Sequence, residues 1–177
     1  AVRDKETLKK LKIIVNDPLL KKEERALSYE SKLLFNHIHA NYSIATCHIR
    51  SEYFYTKRTV ELIESNPEQL NDSPNPYLQA LNNFHTACAR IKKFNELSVS
   101  LKKLKGLLQI SSFNKTEKTR ILLSRCIYNM DLILHFNLGQ FKKGVELIPE
   151  IKKWLKQYEN KIQKTGLWVM YFHIAYT

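Results

Sequence analysis

Histidine is the residue type in this sequence with the most obvious capacity for chemistry. Three of the 6 histidines, His37, His39 and His48, lie near one another in the sequence. Two histidines separated by two positions point to different faces of a helix. No Asp, Glu or Cys stands at the spacing that would complete a metal-ligand set with them. The sequence therefore predicts no metal site, and nothing in it indicates a bound cofactor.

Motifs of known catalytic machinery are absent from the sequence. It contains no Gly-rich phosphate loop, no Gly-x-Ser-x-Gly turn and no His-Glu-x-x-His zinc motif. Carboxylates such as Glu61, Glu64 and Glu146 stand at helix-surface spacing beside lysines. Ion pairs one helical turn apart account for that pattern. We therefore expect a protein that is not an enzyme.

The spacing of apolar residues indicates long helices. Only 4 Gly and 5 Pro interrupt the 177 residues, and three of the prolines lie within residues 65–76. Apolar residues recur at spacings of three and four, which is typical of a helix with one buried stripe. Two such stripes are Ile91, Phe94, Leu97, Leu101 and Leu104, and Leu138, Phe141, Val145, Ile148, Ile151 and Leu155.

Helix starts and joints complete the predicted architecture. We expect a first helix over about 4–15, a cap at Asp17 before Pro18, and a helix opening at Asn114 or Thr116. Short joints force neighbouring helices to be antiparallel. The predicted fold class is all-α, with about seven to nine helices.

Three asparagines coincide when the sequence is aligned on itself. The anchors of the alignment are the aromatic residues Tyr53, Phe94 and Phe141, which lie 41 and 47 residues apart. Twelve positions before them stand Asn41, Asn82 and Asn129. An amide both donates and accepts hydrogen bonds, so a row of Asn could hold the backbone of an extended peptide. Alternatively, these side chains tie neighbouring helices together, and the sequence leaves both roles open.

One of these segments carries a family resemblance. Residues 137–144, Asn-Leu-Gly-Gln-Phe-Lys-Lys-Gly, are similar to the Gly-x-Tyr/Phe-x-x-Ala turn of tetratricopeptide (TPR) repeats, with Gly144 at the small position. Residues 89–97 look like a degenerate copy. From about Leu27 onward the chain resembles bacterial proteins with divergent TPR-like repeats. The resemblance implies a right-handed α-solenoid of antiparallel helix pairs, whose first helices line a concave surface.

The resemblance also implies a function, that of a scaffold binding a protein or peptide in the concave groove. It places the following residues on or near the groove lining: Asn41, His48, Gln79, Asn82, Thr86, Arg90, Asn129 and Asn137. Clamps for a terminal carboxylate carry several Lys or Arg at such places. Only Arg90 is present here, so we do not expect that specificity.

The net charge of +12 and the pI near 9.6 raise an alternative function. A Lys-rich surface could bind nucleic acid without sequence preference, with an affinity that falls steeply as salt is added. The lysines, however, are spread along the chain in pairs such as Lys102-Lys103 and Lys142-Lys143. A dispersed pattern is more typical of solvated helix faces, so we rank nucleic-acid binding second.

The remaining features concern domain organisation and location. We expect residues 1–177 to form one repeat domain, a fragment of a longer chain, because residues 161–177 resemble the first helix of a fourth repeat without its partner. That exposed helix should promote self-association. No run of about 18 apolar residues is present, so we expect no membrane span. Three widely separated cysteines favour a cytoplasmic location.

Overall fold

A computed structural model of the protein describes residues 5–68 and 74–176. Every regular element in these two ranges is a helix, so the predicted all-α class is confirmed. The chain divides at residue 70 into two compact units, which we call unit 1 and unit 2. One continuous repeat domain stays a prediction.

The described part of unit 1 gives the bounds of three α-helices: α1 (Lys5–Val15), α2 (Tyr29–Ala45) and α3 (Ile49–Glu64). Two short 3-10 turns, Pro18–Leu20 and Glu23–Arg25, connect α1 to α2. Helix α2 packs against both α1 and α3. The first helix, predicted over about 4–15, is thus present from Lys5 to Val15, and position 4 lies outside the described residues.

Residues 74–176 of unit 2 contain six α-helices, arranged around the longest of them, α7. They are α4 (Pro74–Arg90), α5 (Phe94–Leu107), α6 (Ser111–Asn114), α7 (Glu117–Asn137), α8 (Phe141–Tyr158) and α9 (Lys164–Tyr176). Helix α7 packs against all five others, and α4 also packs against α5. The structure therefore gives the bounds of nine α-helices within residues 5–68 and 74–176, at the upper end of the predicted number.

The predicted helix caps are confirmed at two positions. The Asp17 carboxylate accepts a hydrogen bond of 2.8 Å from the Leu19 N–H and precedes Pro18, although the element it caps is a 3-10 turn. The Thr116 hydroxyl oxygen accepts one of 3.1 Å from the Thr119 N–H, at the start of α7. Each cap satisfies a backbone donor that the first helical turn leaves without a partner.

The two predicted apolar stripes differ in how far they are buried. In α5, Leu97, Leu101 and Leu104 are buried, as predicted, whereas Phe94 is half-buried and Ile91 lies in the turn before the helix. In α8, Ile151 and Leu155 are buried, but Val145 is 52% exposed. Only the second half of α8 therefore contributes to the core through its predicted stripe.

The same turn joins the helices of three successive pairs. Its central residue is Cys47, Lys92 or Gly139, with φ values of 59°, 61° and 66° in the left-handed region. The residue after each of them donates its N–H to a carbonyl five positions earlier: His48 to Ser43 (2.9 Å), Lys93 to Cys88 (2.8 Å) and Gln140 to His135 (2.8 Å). This pattern is the Schellman motif, which satisfies the last carbonyls of a helix.

These turns correct the repeat register predicted from sequence. The second helix of each pair begins two residues after the left-handed residue, at Ile49, Phe94 and Phe141. Ile49 is therefore the equivalent of Phe94 and Phe141. Tyr53, the aromatic residue used to align the first pair, lies one turn inside α3. Twelve positions before Ile49 stands His37, so Asn41 is not equivalent to Asn82 and Asn129.

Glycine substitution tests the geometry of these turns. We expect Lys92→Gly to raise the free energy of unfolding by about 0.5–1 kcal/mol, because glycine adopts positive φ without the steric cost that Lys92 bears. Gly139→Ala is the reverse control. A Cβ there would meet no atom within 4 Å, so its destabilisation would come from backbone strain alone. Urea unfolding followed by circular dichroism measures both changes. Destabilisation by Lys92→Gly would contradict the left-handed turn.

Candidate functional site

The predicted binding residues of unit 1 are both exposed. Asn41 lies on α2. His48 precedes α3, and its side chain makes no capping hydrogen bond to that helix. The remaining six predicted residues belong to unit 2.

Four of those six form a stripe along α4. Gln79, Asn82, Thr86 and Arg90 follow one another at spacings of three and four, so they share one face of the helix. Gln79, Thr86 and Arg90 are exposed and Asn82 is half-buried. Between them, the Thr86 hydroxyl donates to the Asn82 carbonyl at 3.0 Å. We call these four residues the α4 stripe. It presents amide, hydroxyl and guanidinium groups at the surface.

Asn129 occupies a different environment from Asn82. It is only 6% exposed, and its side-chain oxygen lies 3.4 Å from Nδ1 of His173 on α9. Burial lowers the pKa of His173, so the ring is neutral near pH 7 and Nδ1 can donate to the Asn129 oxygen in one tautomer. This contact links α7 to α9, which is the helix-tying role that the sequence left open.

Asn137, the last residue of α7, borders an apolar cleft. Its side-chain nitrogen donates a hydrogen bond of 2.7 Å to the Ile133 carbonyl within its own helix. The cleft has a volume of about 350 Å³ and lies between α7 and α9. Its lining comprises Leu132, Ile133, Phe136, Asn137, Phe172, His173 and Tyr176. We call it the α7–α9 cleft. Sequence reasoning did not identify it, although Phe172 and Tyr176 stand one helical turn apart on α9.

A buried histidine–serine pair joins α4 to α5. Nε2 of His85 lies 2.6 Å from the Ser100 hydroxyl, at the distance expected of a general base and a nucleophile. His85 is fully buried and Ser100 is 5% exposed, so a substrate could not reach either group. Burial lowers the pKa of His85 to about 4, which keeps the imidazole neutral at physiological pH. The pair is thus a structural contact, and the sequence analysis did not find it.

A second polar contact anchors α5 to α7. Nζ of Lys105 lies 2.6 Å from the Asp131 carboxylate, which is almost fully buried. His135, one turn later on α7, has Nε2 3.9 Å from the same carboxylate, and its Nδ1 lies 3.0 Å from the Gln140 side-chain oxygen. These groups connect α5, α7 and the turn before α8.

Residues 5–68 and 74–176 contain neither a cluster of metal ligands nor a helix suited to span a membrane. Within them, no three His, Cys, Asp or Glu side chains lie close enough to hold a metal ion. None of the described helices combines the length and the apolarity needed to cross a membrane. Cys88 and Cys126 are buried thiols, and Cys47 is exposed.

Comparison with known proteins gave no relative. No protein-family model, no curated protein and no solved structure matches the chain. The TPR relationship therefore stays a prediction.

Proposed function

We propose that unit 2 is a right-handed stack of TPR-like helix pairs. Helix α4 packs against α7, and α7 packs against α9, as the first helices of successive repeats do in a solenoid. Three side-chain contacts join residues that are 44 positions apart: Asn75 with Thr119, Glu117 with Lys161, and Asn129 with His173. The constant sequence separation of these contacts, one of which involves Lys161 in the 3-10 turn Glu159–Lys161 before α9, supports a repeated packing unit.

Binding of an extended peptide along the α4 stripe is the function that this architecture supports best. The observation that carries it is the stripe itself, a polar face on a helix whose other side is buried through Leu78, Leu81 and Cys88. The Asn82 amide and Thr86 hydroxyl can hydrogen-bond to a peptide backbone, whatever its side chains. Arg90 and the net charge of +12 favour an acidic segment.

Selection from a random peptide library tests this function. We expect peptides that bind the protein to be enriched in Asp and Glu, and to lose at least about tenfold in affinity with the double variant Asn82→Ala, Arg90→Ala, since each lost hydrogen bond to a charged group is worth about 1.5–3 kcal/mol. Fluorescence anisotropy of labelled peptides measures the affinity. Asn95→Ala, at an exposed position on α5, is the matched control and should bind like wild type. Equal binding by all three proteins would overturn the proposal.

Nucleic-acid binding remains the alternative, and the same titration distinguishes it. Exposed lysine pairs lie on α5 and α8, at Lys102-Lys103, Lys142-Lys143 and Lys152-Lys153. The exposed carboxylates Glu146 and Glu150 lie between the two pairs of α8 and reduce its positive potential. To test the alternative, labelled duplex DNA replaces the labelled peptide in the anisotropy titration. Tight binding that collapses with added salt, and that persists in the double variant, would favour the alternative.

A further inference from the structure

Helix α9 presents an unusually apolar surface for so charged a chain. Charged residues make up 26% of the sequence, yet residues 165–176 contain no Asp, Glu, Lys or Arg. Met170 of this helix is completely buried against side chains of α7 and α8. Its other faces expose large side chains: Trp168 by 76%, Tyr171 by 48%, Phe172 by 56% and Tyr176 by 61%. An aromatic surface of this kind typically marks an interaction site.

The aromatic residues of α9 are arranged in a line. Trp168, Phe172 and Tyr176 are spaced by four, so they follow one another along one side of the helix. The Phe172 and Tyr176 rings contact each other with centroids 4.4 Å apart, and both border the α7–α9 cleft. Trp168 projects from the other end of the line, about 12 Å from Tyr176 at 1.5 Å per residue. One surface thus carries a projecting ring and a cleft.

We propose that this surface binds a second copy of the chain. The two α9 helices cross antiparallel about a two-fold axis at Phe172. Trp168 and Tyr176 lie four residues on either side of that axis, so Trp168 of each copy faces the cleft beside Tyr176 of the other. A two-fold interface requires one patch to be complementary to itself, and a projection and a cavity placed symmetrically about Phe172 meet that requirement.

Area and charge favour a second copy as the occupant. Aromatic side chains bury roughly 150–250 Å² each when fully covered, and these four are 48–76% exposed, so they offer on the order of 500 Å² per copy. Val169 and the cleft wall at Phe136, which are 45% and 43% exposed, extend the patch. A stable interface buries about 800 Å² per partner, so the patch approaches the required size. Because residues 165–176 carry no fixed charge, two copies of this basic chain can meet there without direct like-charge contact.

Sedimentation velocity of the 177-residue chain tests the proposal. We expect a dimer to form as the concentration rises from about 1 µM to about 500 µM. Trp168→Ala should weaken the dimer at least about tenfold, because truncating an aromatic anchor of an interface typically costs that much affinity. Phe54→Ala is the matched control, since Phe54 is 51% exposed but lies in unit 1. A chain that stays monomeric at the highest concentration, or a dimer unaffected by Trp168→Ala, would overturn the proposal.

Crosslinking tests the position of the axis. In a Cys47→Ser background, Phe172→Cys places one thiol on each copy at the axis, where packed helices lie about 8–10 Å apart. A short bismaleimide should then join two chains efficiently. Thr165→Cys, seven residues from the axis on the same helix, should crosslink far less. The reverse ranking would exclude this antiparallel arrangement.

Peptide affinity measured on Trp168→Ala separates this inference from the proposed function, because the α4 stripe is unchanged in that variant.

Discussion

Leu132→Ala is expected to lower the free energy of unfolding by about 3–5 kcal/mol, because truncating a fully buried leucine loses its transfer free energy and leaves a cavity. Leu132 has no exposed surface and belongs to the core cluster that joins α7, α8 and α9. The cluster comprises Ile121, Leu132, Ile151, Leu155, Ile162 and Met170. Helix α7 contacts every other helix of unit 2, so surrounding side chains can collapse into the cavity only partly.

Urea unfolding measured by circular dichroism gives the size of this effect. Leu138→Ala is the matched control, since Leu138 is the same residue type six positions later and is 44% exposed. We expect the control to change stability by less than about 1 kcal/mol, because most of its surface is already in water. A similar loss in the two variants would show that Leu132 is not at the centre of the core.

Acidification is expected to destabilise the protein through His85. The pKa of His85 is about 4 in the folded state, below the ordinary value of 6.5, because the buried imidazole resists protonation. Between those two values the unfolded chain binds the proton and the folded chain does not, so stability falls as pH falls. The contribution of His85 is fully present above pH 6.5 and is lost by about pH 4. From about pH 7.5 to about pH 4.5 we expect a loss of 2–3 kcal/mol from this group.

A substitution isolates His85 from the other groups that titrate in the same range. Burial also lowers the pKa of His37 and His173, and these residues add to the slope of the wild-type protein. His85→Gln removes one titrating group and retains a polar partner for Ser100. The difference between wild type and variant, measured by urea unfolding at several pH values, should therefore shrink as the pH falls. A difference that is independent of pH would contradict a neutral, buried His85.

Local patterns in the sequence determined the secondary structure of this protein. The all-α class, the caps at Asp17 and Thr116 and the three buried leucines of the α5 stripe were predicted correctly, because each depends on residues within one or two helical turns. A turn at residues 137–144 was also predicted, from its resemblance to the TPR turn, and Gly139 adopts there the positive φ that glycine favours. The equivalent turns at Cys47 and Lys92 carry no such mark, and the register of the first pair was therefore misplaced.

Tertiary structure alone decided where each polar residue lies and what it contacts. Asn82 and Asn129 are equivalent in sequence, yet α9 covers Asn129 and leaves Asn82 half-exposed. His85 and Ser100 are 15 residues apart, and only the packing of α4 on α5 brings them together and buries them. The α7–α9 cleft joins residues 132–137 of α7 to residues 172–176 of α9, which are at least 35 positions apart in the sequence. Such distant contacts depend on which helix faces meet, and a local pattern does not specify this.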